Sequence, residues 1–142
     1  YKPQIIESII HADGSEEKIL PIEVRRVLRE ETSQSMGDML RSVVVNGHVK
    51  RANVPGYRVG GKTGTAQVAK KNAKGYEESL SIGSFVGYAP IDNPRFVVLV
   101  KIDNPKNVEW AESSAAPTFG RIMKFLLEYA KIQPTEKLSV KK

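Results

Sequence analysis

The stretch Gly61-Lys62-Thr63-Gly64-Thr65-Ala66-Gln67 carries most of the structural and functional information in this chain. Its alternation of small, polar and β-branched residues predicts a strand rather than a helix. Thr63 and Thr65 would present hydroxyls on one face of that strand, and Lys62 adds a fixed positive charge. Because Gly64 has no side chain, a ligand backbone could approach there and exchange hydrogen bonds with the strand edge. The pattern favours binding of an extended peptide that ends in a carboxylate.

Three consecutive strands are predicted around this motif. The motif strand covers residues 58–69, and residues 81–89 and 95–102 form the next two. A polar, lysine-rich connection separates the first pair, and a turn with two prolines separates the second. Residues 95–102 are the most apolar of the three, so we expect that strand to be buried on both faces and central in the sheet of the complete domain. This chain offers strands for only one side of it, so the other neighbours should come from an upstream segment, and the chain alone should leave an apolar edge and a sheet face uncovered.

A hairpin and two helices complete the predicted elements. The Ile-rich residues 4–10, the turn 12–15 and residues 18–20 predict an N-terminal hairpin. One helix begins near Glu30 and stops at Asn46-Gly47, and its apolar face is predicted to be Met36, Met39, Leu40, Val43 and Val44. A last helix begins at Ser113 or Ser114 as its cap, and its apolar stripe is predicted to be Phe119, Ile122, Met123, Leu126 and Ala130. The fold class is therefore α+β, an antiparallel sheet with packed helices, with residues 1–133 in one domain and 134–142 a flexible tail.

Composition excludes several chemistries. The chain has 142 residues and no cysteine, which rules out disulfides, thiol catalysis and a cysteine-based metal site. His11 and His48 stand alone in the sequence, so we expect no metal site and no cofactor. The net charge of +6 is spread along the chain, and no aromatic residues interleave with the basic ones to stack nucleic-acid bases. A solvated surface is the preferred interpretation, and attraction to an anionic cell wall or a carboxylate substrate stays open.

A nucleotide-binding motif overlaps the same residues. Residues 56–63 satisfy G-x-x-x-x-G-K-[ST], the P-loop pattern. A P-loop joins a buried strand to a helix, whereas residues 64–68 here alternate like a strand and residues 50–55 are not an apolar strand. We therefore interpret the match as incidental and keep a nucleotide-binding module as a distant alternative.

The chain resembles the class B, division-type penicillin-binding proteins over nearly its whole length. Lys62, Thr63 and Gly64 spell K-T-G, one of three signature motifs of penicillin-binding proteins and class A β-lactamases. The resemblance also includes residues 1–3, 30–32, 39–47, 54–59, 84–90 and 115–119. It implies the fold of serine β-lactamases and D,D-peptidases, in which the three predicted strands are neighbours in the central antiparallel sheet. The chain would then be the C-terminal part of a transpeptidase domain.

The resemblance also implies a reaction and a role for each motif residue. A serine attacks the D-Ala-D-Ala end of a peptidoglycan stem peptide, and the acyl group passes to an amine of a second stem; β-lactam antibiotics acylate the same serine. Lys62 would assist proton transfer and bind the carboxylate, and Thr63 would bind it by its hydroxyl. Gly64 would give the substrate room, the N–H of Thr65 would complete the oxyanion hole, and Gln67 would lie beside the ligand.

The other two family motifs have no counterpart in the chain. Ser15-x-x-Lys18 and Ser139-x-x-Lys142 match S-x-x-K, but they lie in a turn and a terminal tail, and no S-x-N occurs. We therefore expect no nucleophile here. An upstream segment of the same protein should carry S-x-x-K, S-x-N and an anchor at the extracytoplasmic face of the bacterial membrane, and the chain alone should be inactive. A fragment of a β-lactam sensor or of a β-lactamase remains an alternative, which that upstream segment would decide.

Overall fold

The structure, a computed structural model, describes residues 1–106, 108 and 110–136, with the side chains of residues 78 and 79 left aside. The chain divides into two compact units, Tyr1–Glu30 and Glu31–Lys142. The mixed helix and antiparallel-sheet architecture confirms the predicted α+β class. Among the described helices, none is long and apolar enough to cross a membrane.

The first unit is built on a small hairpin. Strands β1 (Ser8–Ile10) and β2 (Glu16–Lys18) pair antiparallel, which confirms the predicted hairpin with shorter strands. In the turn, the backbone N–H and the hydroxyl of Ser15 donate to one carboxylate oxygen of Asp13, at 2.9 and 2.7 Å. These hydrogen bonds lower the pKa of Asp13, because they stabilise its ionised form.

The second unit contains a three-stranded antiparallel sheet in the order β3-β4-β5. Its strands are β3 (Gly60–Ala69), β4 (Tyr76–Ala89) and β5 (Phe96–Asp103). The three predicted strands are thus confirmed. The middle strand β4 begins earlier than predicted because Tyr76 still pairs with Ala69, across the turn that contains the lysine-rich connection.

Two helices pack against this sheet. Helix α1 (Glu30–Asn46) has the predicted bounds, a short 3₁₀ helix (Lys50–Ala52) follows it, and helix α2 (Ala115–Tyr129) comes last. The rings of Phe119 in α2 and Phe85 in β4 meet at a centroid distance of 4.6 Å, and both side chains are fully buried. The core is therefore centred between α2 and the sheet, and it includes Val44, Val59, Met123 and Leu127.

The structure corrects the predicted apolar face of α1. Met36 and Met39 are 51% and 63% exposed, whereas Gly37 and Val44 are buried. The contact side of α1 is set by Gly37, where a side chain would meet the Tyr88 hydroxyl at 3.2 Å. A glycine contributes nothing to an apolar pattern. The sequence pattern was therefore centred on Met36 and Met39, whereas the buried side of α1 contains Gly37 and Val44.

The predictions for strand β5 and helix α2 hold only in part. Val97 and Leu99 of β5 are 74% and 67% exposed in this chain, and among the described residues β5 has a strand neighbour on one side only, as expected without an upstream segment; its burial on both faces in the complete domain stays a prediction. On α2, Ile122 is 38% exposed and Leu127 takes the buried place, while Ala130 lies beyond the last turn and is exposed. Ser114 occupies the N-cap position of α2, as predicted, but its hydroxyl donates to the Trp110 carbonyl at 3.2 Å and makes no capping hydrogen bond.

The predicted tail is described only in part. Residues 137–142 lie outside the described residues. The backbone N–H groups of Thr135 and Glu136 both donate to the Gly56 carbonyl, at 2.9 and 3.0 Å.

Candidate active site

The motif residues lie in strand β3 and alternate between the two faces of the sheet. Lys62 pairs with Val86 and Gly64 with Ser84, and residues paired directly across an antiparallel sheet share a face. Thr63 pairs with Phe85, which packs on α2. We call the face with Lys62, Gly64, Ser84, Val86 and Leu99 the open face, and the face with Thr63, Phe85 and Val100 the helix-covered face.

Lys62 and Thr63 meet at the edge of β3, although their side chains start on opposite faces. The Lys62 ammonium donates to the Thr63 carbonyl at 3.2 Å and to the Thr63 hydroxyl at 3.3 Å. Strand β3 has β4 on one side and no strand on the other among the described residues. An ammonium and a hydroxyl are therefore presented together at an unpaired strand edge, an arrangement that suits a carboxylate.

No acidic side chain of the described part of the chain neutralises Lys62. The ion pairs there involve other cations, and on the open face Lys101 is paired instead, with its ammonium 2.7 Å from Asp103. The Lys62 ammonium is therefore available to bind an external anion.

The backbone of β3 fixes which amides face the unpaired edge. The carbonyl of Gly64 accepts from the hydroxyl of Ser84, so it points towards β4, whereas the carbonyl of Thr63 accepts from Lys62 outside the sheet. Successive residues of an antiparallel strand turn their N–H and C=O groups to opposite edges. The N–H of Thr65 therefore points to the unpaired edge, beside the Lys62–Thr63 pair.

Gly64 is in close contact with its cross-strand neighbour. A Cβ atom at this position would lie 2.7 Å from the Ser84 hydroxyl oxygen, a distance that forces a shift. With a side chain at residue 64 the Ser84 hydroxyl would have to move, so the sheet itself favours a glycine here, in addition to any room that a ligand needs. Ser84 is a residue that sequence reasoning missed, because only the pairing register brings it opposite Gly64.

Gln67 and the lysines of the connection lie away from the Lys62–Thr63 pair. Gln67 is exposed and pairs with Ser81, just before a register shift between Gln67 and Ala69. Lys70, Lys71 and Lys74 follow in the exposed turn between β3 and β4. The structure therefore brings together Lys62, Thr63, Gly64 and the N–H of Thr65. Gln67 follows two residues after Thr65 in the same strand.

The start of β3 is held from two sides. A Cβ atom at Gly60 would lie 3.1 Å from both Leu40 of α1 and Ile91 of the turn before β5, so the helix sits directly on the strand. Just upstream, the Arg58 guanidinium contacts Asp92 and donates to the Asp38 carboxylate of α1 at 2.6 Å. The hydrogen bond to Asp38 raises the pKa of Arg58, so this clamp stays charged.

The other candidate residues of the sequence belong to other elements than β3. Ser15 is in the hairpin turn of the first unit, bonded to Asp13, and Ser139 lies outside the described residues. His11 is 3.3 Å from Glu17, and His48 is exposed in the loop after α1. Within the described residues, no cluster of three or more histidines and acidic residues could hold a metal ion.

The P-loop interpretation is incompatible with the local structure. Lys62 and Thr63 lie within a ten-residue strand that continues to Ala69, and the chain then turns into β4. A P-loop needs a helix N-terminus directly after its Lys-Thr pair to bind phosphates. The segment that follows offers strand edges instead.

Comparison with known proteins gives one consistent family. A profile of the penicillin-binding protein transpeptidase domain matches residues 1–124. Stage V sporulation protein D of Bacillus subtilis is 44% identical over 123 residues, which cover 86% of this chain and 19% of that protein. Penicillin-binding protein PbpB of Mycobacterium tuberculosis is 38% identical over 136 residues, covering 89% of this chain and 20% of that protein.

Solved structures agree with these sequence matches. Penicillin-binding protein 3 from Mycobacterium tuberculosis, solved in complex with ampicillin, superposes with a TM-score of 0.82 at 30% identity, covering 95% of this chain and 32% of that one. The chain thus spans about a fifth of the length of the two curated relatives and a third of this solved chain. Its fold and sequence confirm the resemblance to the class B group, and the chain belongs to the penicillin-binding protein transpeptidase domain family.

Proposed function

We propose that this chain supplies the substrate-binding strand of a peptidoglycan D,D-transpeptidase. The observation that carries the proposal is the Lys62 ammonium, 3.3 Å from the Thr63 hydroxyl at an unpaired strand edge and without an acidic partner among the described residues. Membership of the transpeptidase domain family supports it, as do relatives that are named peptidoglycan D,D-transpeptidases.

In this proposal the edge of β3 holds the end of a stem peptide. The terminal D-Ala carboxylate lies against the Lys62 ammonium and the Thr63 hydroxyl, each a charge-assisted contact of about 1.5–3 kcal/mol. The N–H of Thr65 donates to the carbonyl oxygen that becomes an oxyanion, a contribution of about 10²–10³ in rate. Gly64 lets the substrate backbone come close, and Gln67 lies beside the next part of the peptide.

The reaction proceeds by acyl transfer to a serine outside this chain. The serine oxygen forms an ester with the penultimate D-Ala carbonyl, the peptide bond to the terminal D-Ala breaks, and that D-Ala leaves with a proton. The amine of a second stem then attacks the ester, forms the cross-link and releases the serine. Lys62 assists the proton transfers through its ammonium.

The nucleophile belongs to an upstream segment that carries S-x-x-K and S-x-N. The apolar residues of the open face support such a partner, since Val86, Val97 and Leu99 are 45%, 74% and 67% exposed in this chain. Exposed apolar area of this kind is usually covered by another part of a domain.

β-Lactams are proposed to acylate the same serine, and solved relatives of this chain hold ampicillin and aztreonam. Because the substrate is peptidoglycan, the domain would work at the extracytoplasmic face of the membrane, anchored by the upstream segment.

A lysine comparison in the complete enzyme tests the function. Lys62→Ala should slow acylation by labelled penicillin at least about a hundredfold, because it removes a preorganised charge from the site. Lys101→Ala, on the same face and in the same cross-strand row as Gly64, is the matched control and should change the rate little. The triple change of Lys70, Lys71 and Lys74 to alanine should also change it little. Equal losses in all three variants would refute the assignment of Lys62.

A further inference from the structure

A set of contacts ties the C-terminal segment, residues 132–136, to the loop that leads into β3. The Arg41 guanidinium of α1 lies at the centre of these contacts. It donates to the Asn53 side-chain oxygen at 2.6 Å and to the Glu136 carboxylate at 2.8 Å. The Arg41 side chain is only 13% exposed and that of Glu136 is 35% exposed. This is a shielded, geometrically fixed contact rather than a solvated surface pair.

Hydrogen bonds to backbone carbonyls join the same two segments, residues 132–136 and the loop before β3. Thr135 and Glu136 both donate to the Gly56 carbonyl, at 2.9 and 3.0 Å, and the Tyr57 hydroxyl donates to the Ile132 carbonyl at 2.7 Å. Five hydrogen bonds in total therefore join three parts of the chain that are distant in sequence. We call this set of contacts the C-terminal brace.

The brace adjoins the start of the motif strand. The backbone nitrogen of Arg41 lies 3.6 Å from the position of a Cβ atom at Gly60, two residues before Lys62. Within the described residues, the Lys62 side chain hydrogen-bonds only to the adjacent Thr63, so the position of its ammonium depends on where the backbone of β3 lies.

We propose that Arg41 is a positioning residue for Lys62: through the brace it fixes the start of β3, and thereby the lysine, for acylation. This inference rests on the proposed transpeptidase function. A displacement of about 1 Å in a reacting group can cost about 10²-fold in rate, so a loosened strand start should lower acylation more than it lowers stability.

The test compares variants of the complete enzyme. Arg41→Met removes the guanidinium and keeps an unbranched apolar stem, and Glu136→Gln removes one charge as a milder change. Met123→Val is the control, because Met123 is fully buried in α2 and a smaller side chain lowers stability away from the brace. Three measurements are made: the melting temperature, the acylation rate with labelled penicillin resolved into binding and acylation steps, and amide hydrogen exchange of residues 60–65.

We expect Arg41→Met to slow the acylation step at least about tenfold, with a smaller loss in Glu136→Gln, because the lysine is misplaced rather than removed. Exchange at residues 60–65 should be faster in both, and Met123→Val should leave both readouts near wild type. Arg41→Lys should recover part of the rate, since it keeps the charge facing Glu136.

Acylation by Arg41→Met within twofold of wild type, or a loss no larger than that of Met123→Val at equal stability, would overturn the inference. If Arg41→Met does not fold, Glu136→Gln decides in the same way. If the wild-type enzyme takes up no penicillin, the proposed function fails, and the exchange measurement alone then upholds or overturns the brace.

Discussion

The close contact between Gly64 and Ser84 allows the role of this glycine to be divided between the sheet and the ligand. Gly64→Ala places a Cβ atom 2.7 Å from the Ser84 hydroxyl oxygen, and no other described atom outside the adjacent residues lies within 4 Å. Ser84→Ala removes that oxygen and, with it, the 3.2 Å hydrogen bond to the Gly64 carbonyl. The double variant therefore carries the added methyl group without its steric conflict.

The stability effects follow from this geometry. Gly64→Ala alone should lower the free energy of unfolding by about 1–3 kcal/mol, the usual range for overpacking. Ser84→Ala alone should cost about 0.5–1.5 kcal/mol for one hydrogen bond. In the double variant the conflict is gone, so its loss should be smaller than the sum by about 1 kcal/mol, a coupling typical of residues in contact.

Acylation should not recover with stability. If the substrate backbone lies against Gly64, the methyl group stays in its path, and the double variant should acylate at least about tenfold more slowly, equivalent to about 1.4 kcal/mol. Thermal denaturation and time-resolved labelling with a fluorescent penicillin, both on the complete enzyme, measure the two quantities. A double variant that acylates at the wild-type rate would mean that Gly64 serves Ser84 and not the ligand.

Two further outcomes are expected. No specific ATP or GTP binding should be detected by titration, because a strand and not a helix N-terminus follows Lys62 and Thr63; saturable, Mg²⁺-dependent binding at micromolar nucleotide would contradict this. Leu99→Asn should make the isolated chain more soluble, since Leu99 is 67% exposed there, yet it should destabilise the complete domain by about 1.5–3 kcal/mol if the upstream segment covers it. Unchanged stability of the complete domain would argue against that cover.

Local signals were sufficient for the elements of this fold. Helix α1 ends at the predicted Asn46, and the three strands occur in the predicted order, because turn residues and periodicity act over a few positions. The recognised family string placed Lys62, Thr63 and Gly64 in one strand, and the structure places the lysine ammonium beside the threonine hydroxyl.

Contacts that depend on strand register or on residues far apart in the sequence could not be predicted from local sequence patterns. The sequence places Gly64 in a strand and suggests room for a ligand there, but only the pairing register reveals the Ser84 oxygen beside it. Met36 and Met39 look like core residues, yet the face of α1 that meets the sheet is decided by Gly37. Arg41 and Glu136 are 95 positions apart, a separation at which no local pattern predicts a contact.

Labelling by penicillin tests the central claim most directly. The 142-residue chain alone should take up no labelled penicillin, because no S-x-x-K serine lies in a helix within its described residues. Combined with the upstream segment, it should form a stable pair that does take up the label, and peptide mass mapping should locate the label on a serine of that segment. A monomeric form of this chain that reacts with penicillin by itself, at Ser15, Ser139 or any other residue, would contradict the account.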